Sequence, residues 1–146
     1  MLQLNRFMTQ RNVEHLLKTH QLRRTDTRVE VLELFLQKDM ALAQKDIEEE
    51  LGAIDRITLY RTLRTFEDKG LIHRAIDGSE KLRFALCNHE CNPVEGHFDE
   101  HAHFHCKICE KTYCLEQIHT PSVRVPKGYK IESSHLVLKG VCEHCN

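Results

Sequence analysis

No stretch of this chain approaches the ~20 consecutive apolar residues of a membrane-spanning helix, and Met1 to Gln10 lack the apolar core of a secretory leader. There is no low-complexity tract, and nothing repeats beyond two short cysteine pairs. These absences predict a reducing, cytoplasmic setting with free thiols. The seven cysteines are an odd number, which argues against a framework built of disulfides alone. Two catalytic zinc patterns are missing as well: H-E-x-x-H, and the H-x-E…P-C-x-x-C of zinc deaminases. His97 and His101 have helical zinc spacing, but Phe98 stands where the general-base Glu of a zinc protease follows its first His. A zinc-dependent enzyme is therefore the rival from another class, without an identifiable base. A metal buffer is a third reading. No pattern points to a small organic substrate.

What the chain does contain is unevenly spread. At 146 residues, with 40% hydrophobic and 29% charged residues, it is long enough for one domain or two small ones. The net charge of −1 conceals a basic front and a back rich in metal-binding side chains. Residues 1–28 hold six Lys/Arg against two Asp/Glu, whereas residues 84–146 hold six against eight. That back segment also carries eight of the eleven histidines, and all seven cysteines lie there.

Cys106-Lys-Ile-Cys109 and Cys142-Glu-His-Cys145 are matched C-x-x-C knuckles, the donor set of a closed tetrahedral Zn²⁺ site. Four sulfurs fill that site. The His101-x-His103-x-His105 run just before it therefore implies a second, less closed one. On a strand, His101 and His103 face the same side and can meet one ion, and imidazole suits Zn, Fe or Ni alike. His105 shares that face and is read as packing or as support for the ligands. Cys91, His97, Cys114, Glu116 and His119 are reserves.

Hydrophobic spacing predicts a helix over roughly 8–20, through Val13, Leu16 and Leu17. A second follows Thr25 as N-cap, with Val29, Leu32, Phe35 and Leu36 inward. A short third runs from about Ala43 to Leu51 and stops at Gly52. Asp55 caps a fourth, ending at Gly70, with Leu59, Leu63 and Phe66 inward and Arg56, Thr58, Tyr60, Arg61 and Arg64 on its other faces. Leu71–Ile76 and Lys81–Leu86 flank Asp77-Gly78-Ser79-Glu80 as a hairpin. An arginine stripe alone reads as a solvated helix face. Three helices, a basic fourth and a hairpin in this order describe a winged helix that places its last helix in the DNA major groove. Composition changes abruptly after Leu86, with nine His or Cys in residues 87–109, so the domain boundary is expected near 85. The expected domains are 1–85 and 86–146. The back half shows strand-like stretches at 101–105, 111–115 and 135–141 and little helical periodicity.

Several ordered motifs carry a family resemblance. They are Leu22-Arg23-Arg24-Thr25-Asp26-Thr27-Arg28, Thr58-Leu59-Tyr60-Arg61-Thr62-Leu63, Gly70-Leu71-Ile72, His101-x-His103-x-x-Cys106-x-x-Cys109 and Gly140-x-Cys142-x-x-Cys145. Over nearly its full length the chain resembles the ferric uptake regulator (Fur) superfamily of metal-responsive repressors. The resemblance implies an α+β protein: an N-terminal winged helix-turn-helix domain and a small α/β dimerisation domain with a four-cysteine zinc site. It also implies a homodimer acting on a double-stranded DNA operator, with metal at a hinge setting the spacing of the two heads.

The departures from the family pattern are specific. Ala41 stands where many members have a sensor His, Cys114 where many have an acidic ligand, and Ser134 where a back-domain His is expected, with His135 displaced by one. Phe84-Ala85-Leu86-Cys87 instead resembles the wing end of zinc uptake regulators (Zur), in which a cysteine joins the sensor site. His73 falls where some of these supply a ligand. The expected regulatory site is thus His73, Cys87, His101 and His103, beside structural zinc on Cys106, Cys109, Cys142 and Cys145. The expected regulatory ion is Zn²⁺, with Fe²⁺ or Mn²⁺ as the alternatives and peroxide sensing on the same fold as the neighbouring function. For DNA, Arg23 is assigned to phosphate or a narrow minor groove, Tyr60 to a thymine methyl and Arg61 to phosphate or a guanine edge. The segment 88–100, with His89, Cys91, His97 and Asp99, is longer than usual in the family.

Overall fold

The structure, a computed structural model, describes residues 12–87 and 101–146. The leader reading at Met1 to Gln10 and the residues His89, Cys91, His97 and Asp99 lie outside the described part.

A first helix, α1, is described over 12–19 and buries Val13 and Leu17. Gln21 then takes a positive φ of 56°. Its N–H reaches the Lys18 carbonyl at 3.1 Å, and Leu22 N–H reaches the Leu17 carbonyl at 2.8 Å. This pairing closes the helix end and packs Leu22 on Leu17. Thr25 caps α2, Asp26–Gln37, its hydroxyl accepting from Arg28 N–H at 3.3 Å. Strand β1, Leu42–Ala43, leads into α3, Gln44–Leu51, where the Asp46 carboxylate accepts the Ala43 N–H at 2.9 Å. Asp55 starts α4, Arg56–Asp68, by accepting from Thr58 N–H and from the Thr58 hydroxyl, each at 2.8 Å. Gly70, at φ 74°, ends it by the same two-bond closure, with Leu71 N–H on the Phe66 carbonyl at 2.9 Å.

These helices pack their apolar stripes together. Leu32 and Phe35 of α2, Ile47 of α3, and Leu59, Leu63 and Phe66 of α4 share one core with Val13, Leu17, Leu42 and Ile72. The expected hairpin forms as β2, Ile72–Arg74, and β3, Arg83–Leu86, shorter than the sequence suggested. Strand β1 joins it, so the sheet order is β1-β3-β2.

The second sheet is built from β4, His101–Cys106, β5, Thr112–His119, and β6, Val137–Gly140, in the order β5-β4-β6. Strand β4 is central, antiparallel to β5 and parallel to β6. The α/β description of the back domain needs correction: among its described residues it holds three strands and no helix. The segment joining β5 to β6 explains why. Pro121 and Pro126 each remove a helical N–H donor, Val123, Val125 and Ile131 are β-branched, and Gly128 sits at φ 95°. No helix among the described residues is long and apolar enough to cross a membrane.

The two sheets touch directly. Ala41 N–H donates to the Thr112 carbonyl at 2.8 Å, and the Arg83 guanidinium donates to the Glu110 carbonyl at 3.2 Å.

Candidate metal centres and nucleic-acid interface

Among the described residues, two groups of four donors have all their ligating atoms within 4.8 Å of one another: Cys106, Cys109, Cys142 and Cys145; and His73, His101, His103 and Cys114. The first follows from sheet pairing. The parallel β4–β6 ladder sets Cys106 opposite Gly140, two residues before Cys142, so the knuckles meet side by side. Cys109 and Cys142 Sγ are 3.8 Å apart. Zn–S bonds of ~2.3 Å in a tetrahedron require S···S of roughly 3.8 Å, so this pair is spaced as two zinc ligands would be.

The thiol chemistry agrees. Backbone N–H donors at Cys109, Cys142 and Ile108 outweigh burial and hold Cys106 down at about 6, with Cys142 N–H lying 3.4 Å from its sulfur. A hydrogen bond with Cys142, then burial and the neighbouring sulfurs, push Cys145 up to about 12. Four sulfurs this close cannot all be anionic without a cation, and a dication removes that conflict. None of the six described cysteines is in a disulfide.

The second group draws on three strands. His103 and Cys114 are directly opposite in the β4–β5 ladder, and His101 precedes a register shift between His101 and Ala102. His73 arrives from β2 of the hairpin. His73 Nε2 lies 3.5 Å from His103 Nε2 and 3.6 Å from Cys114 Sγ. Tetrahedral zinc with N and S ligands places N···N at about 3.3 Å and N···S at about 3.6 Å. The three imidazole centroids are 4.8 to 5.6 Å apart. His103 is 1% exposed. Burial, then the neighbouring His101 and His135, push its pKa down to about 4, so it is a neutral imidazole at neutral pH, the ligating form.

The structure thus gathers His73, His101 and His103, as the sequence suggested, but the sulfur in the group is Cys114. Cys87 Sγ sits 3.3 Å from His73 Nδ1, on the other side of that ring. One imidazole cannot aim both nitrogens at one ion. In this geometry Cys87 steadies the ring from behind while Nε2 faces the group. The reserve Cys114 was findable. The tight turn after Cys106 fixes the pairing His105↔Thr112, Phe104↔Tyr113, His103↔Cys114, and counting back from the knuckle reaches it.

Along α4, Leu59, Thr62, Leu63 and Phe66 are buried. Arg56, Tyr60, Arg61 and Arg64 form the outer face of α4, with Tyr60 55% exposed. Tyr60 therefore lies outside the core. Arg23 is exposed just before α2. Ile57, missed by the sequence reading, is 62% exposed in the first turn of α4.

A profile of the Ferric uptake regulator family matches residues 19–139. A ferric uptake regulation protein of Staphylococcus aureus is 30% identical over 136 residues, covering 89% of this chain and 93% of its own. That of Staphylococcus epidermidis is also 30% identical, covering 88% and 90%. In fold, the chain is similar to a zinc uptake regulator solved with zinc and DNA (TM-score 0.62, 22% identity, 94% of each chain covered). It is also similar to a zinc-bound manganese uptake regulator (TM-score 0.59, 18% identity, 89% and 98% covered). The Francisella tularensis ferric uptake regulator with iron gives a TM-score of 0.56 at 23% identity, covering 85% and 94%. With its matching motifs, fold and clustered thiols and imidazoles, the chain belongs to the ferric uptake regulator family of metal-responsive transcription regulators.

Proposed function

We propose that this protein is a zinc-responsive repressor in which His73, His101, His103 and Cys114 form the sensing site. The observation that carries the reading is the donor set: three imidazoles and one thiolate, drawn from both the wing and the back sheet. Nitrogen and sulfur donors with no carboxylate in the group favour Zn²⁺ over ions that prefer oxygen. A dication bound there would supply positive charge against the Cys114 thiolate and a tie between His73 and the back sheet. Cys106, Cys109, Cys142 and Cys145 hold the structural zinc. The head, residues 1–85, meets double-stranded DNA through Tyr60 and Arg61 in the major groove and Arg23 on the backbone or minor groove. Residues 86–146 form the dimerisation domain, and two copies read an operator with two half-sites.

The test is operator affinity titrated with Zn²⁺, Fe²⁺ and Mn²⁺, in the native protein and in His103→Ala. Zinc at the lowest concentration should switch on binding by the native protein. The variant should keep one zinc per chain and lose the metal dependence. The iron-regulator names of the 30% relatives favour Fe²⁺ as the competing ion. A response to iron at lower concentration than zinc overturns the zinc assignment.

A further inference from the structure

Beside the proposed sensing site runs a second row of side chains on the same strands. In the β4–β5 ladder, His103 faces Cys114 and His105 faces Thr112. Residues two apart on a strand share a face, so His105 and Thr112 lie next to the ligand pair. On the wing hairpin, Asp77 lies four residues beyond His73. Asp77 is 1% exposed and Thr112 fully buried.

These side chains are joined. The Thr112 hydroxyl donates to Asp77 Oδ2 at 2.6 Å. A hydroxyl has one hydrogen, so His105 Nδ1, 3.0 Å from the same oxygen, carries the hydrogen of that second bond. Arg83 Nη1 also donates to Asp77 Oδ2, and Ser79 N–H donates to Oδ1 at 2.8 Å. Arg83 Nη2 reaches across to the Glu110 carbonyl at 3.2 Å. Burial alone would raise the Asp77 carboxyl, but the bonds from Ser79 and Thr112 and the charge of Arg83 hold it at about 2, so it is an anion at any working pH. Lys139 of β6 leans over the turn, its Nζ 3.2 Å from where a Cβ on Gly78 would stand.

We propose that Asp77, Arg83 and Thr112 form a latch that fixes the wing hairpin to the back sheet and thereby sets the distance from His73 to His103 and Cys114 before an ion enters that second group. Resting on the sensing-site reading, this makes them positioning residues. The sensing pocket is then assembled in advance, and metal affinity is high because the ion need not draw two loose parts together. Asp77 and Arg83 both belong to the hairpin, so at this carboxylate the sheet is reached by the Thr112 hydroxyl at 2.6 Å and by the longer contact of His105 Nδ1 at 3.5 Å.

Thr112→Val removes that hydroxyl and keeps the shape. Thr112→Ser keeps the hydroxyl. With zinc retained at the four cysteines, affinity of the second site for Zn²⁺ is measured by competition with a chromophoric chelator. Hydrogen exchange of amides 72–86 is followed with the second site empty. The valine variant should bind at least about tenfold more weakly and exchange faster, while the serine variant should stay within about threefold of native. Native affinity and native exchange in Thr112→Val overturn the latch, as does a serine variant as weak as the valine one. If Thr112→Val loses its four-cysteine zinc, Asp77→Asn decides by the same two measurements. Should the native protein take up no second ion, the sensing-site reading fails, and exchange with zinc on the four cysteines alone still judges the latch.

Discussion

The two sulfurs near His73 make different predictions. Cys114 shares a group with three imidazole nitrogens, whereas Cys87 touches the far nitrogen of the His73 ring. Structural zinc contributes about 10–16 kcal/mol through four ligands, or about 3 kcal/mol each. At 1.4 kcal/mol per tenfold, Cys114→Ala should weaken the second site by about two orders of magnitude. Removing a side chain that only steadies a ligand costs about 10–100-fold, and a thiol is a weak partner, so Cys87→Ala should fall near tenfold. The assay is titration with Co²⁺ while zinc stays on the four cysteines, because sulfur-to-cobalt charge-transfer absorption reports a thiolate bound to the second ion. Native protein and Cys87→Ala should show the band, and Cys114→Ala should not. The opposite pattern, with the band lost in Cys87→Ala and kept in Cys114→Ala, refutes the geometry and restores the ligand set expected from the family resemblance.

Cys142→Ser should abolish binding of one zinc per chain and unfold the back sheet, seen as loss of protected amides in β4 and β6; a zinc-free but protected sheet contradicts this. Acid should release that zinc cooperatively, since protons compete with the ion for all four sulfurs; zinc content against pH checks it. Arg61→Ala should weaken operator binding by about 1–3 kcal/mol with metal content unchanged, measured by anisotropy at fixed salt. Thr25→Ala, which removes the cap on Arg28 N–H, should cost about 1 kcal/mol in denaturant unfolding of the head.

Local chemistry explains which parts were readable from the sequence. The helix starts at Thr25 and Asp55 and the stripe Leu59, Leu63, Phe66 are decided within a few residues of chain, and these formed where spacing put them. The C-x-x-C pairs advertise their chemistry directly. By contrast, whether Cys87 or Cys114 joins the imidazoles depends on which face of His73 each sulfur reaches, a three-strand arrangement. Asp77 was legible only as a turn residue, because its partners Thr112 and His105 lie 35 and 28 positions away. For the back domain, the residues themselves showed little helical periodicity, and the structure followed them rather than the α/β pattern implied by resemblance.

Strand β4 carries His101 and His103 at one end and Cys106 at the other. At ~3.3 Å per residue, His103 of the imidazole group and Cys106 of the four-sulfur group are about 10 Å apart along a single strand. On the proposed reading, two ions would have an order of arrival. A newly made chain would first claim zinc with its four cysteines, which holds this strand in place, and only then would its imidazoles be set for a second ion. A cell starved of zinc would hold a fraction of this protein deaf to the signal rather than merely unsignalled, and that fraction would need a first ion before it could count the next.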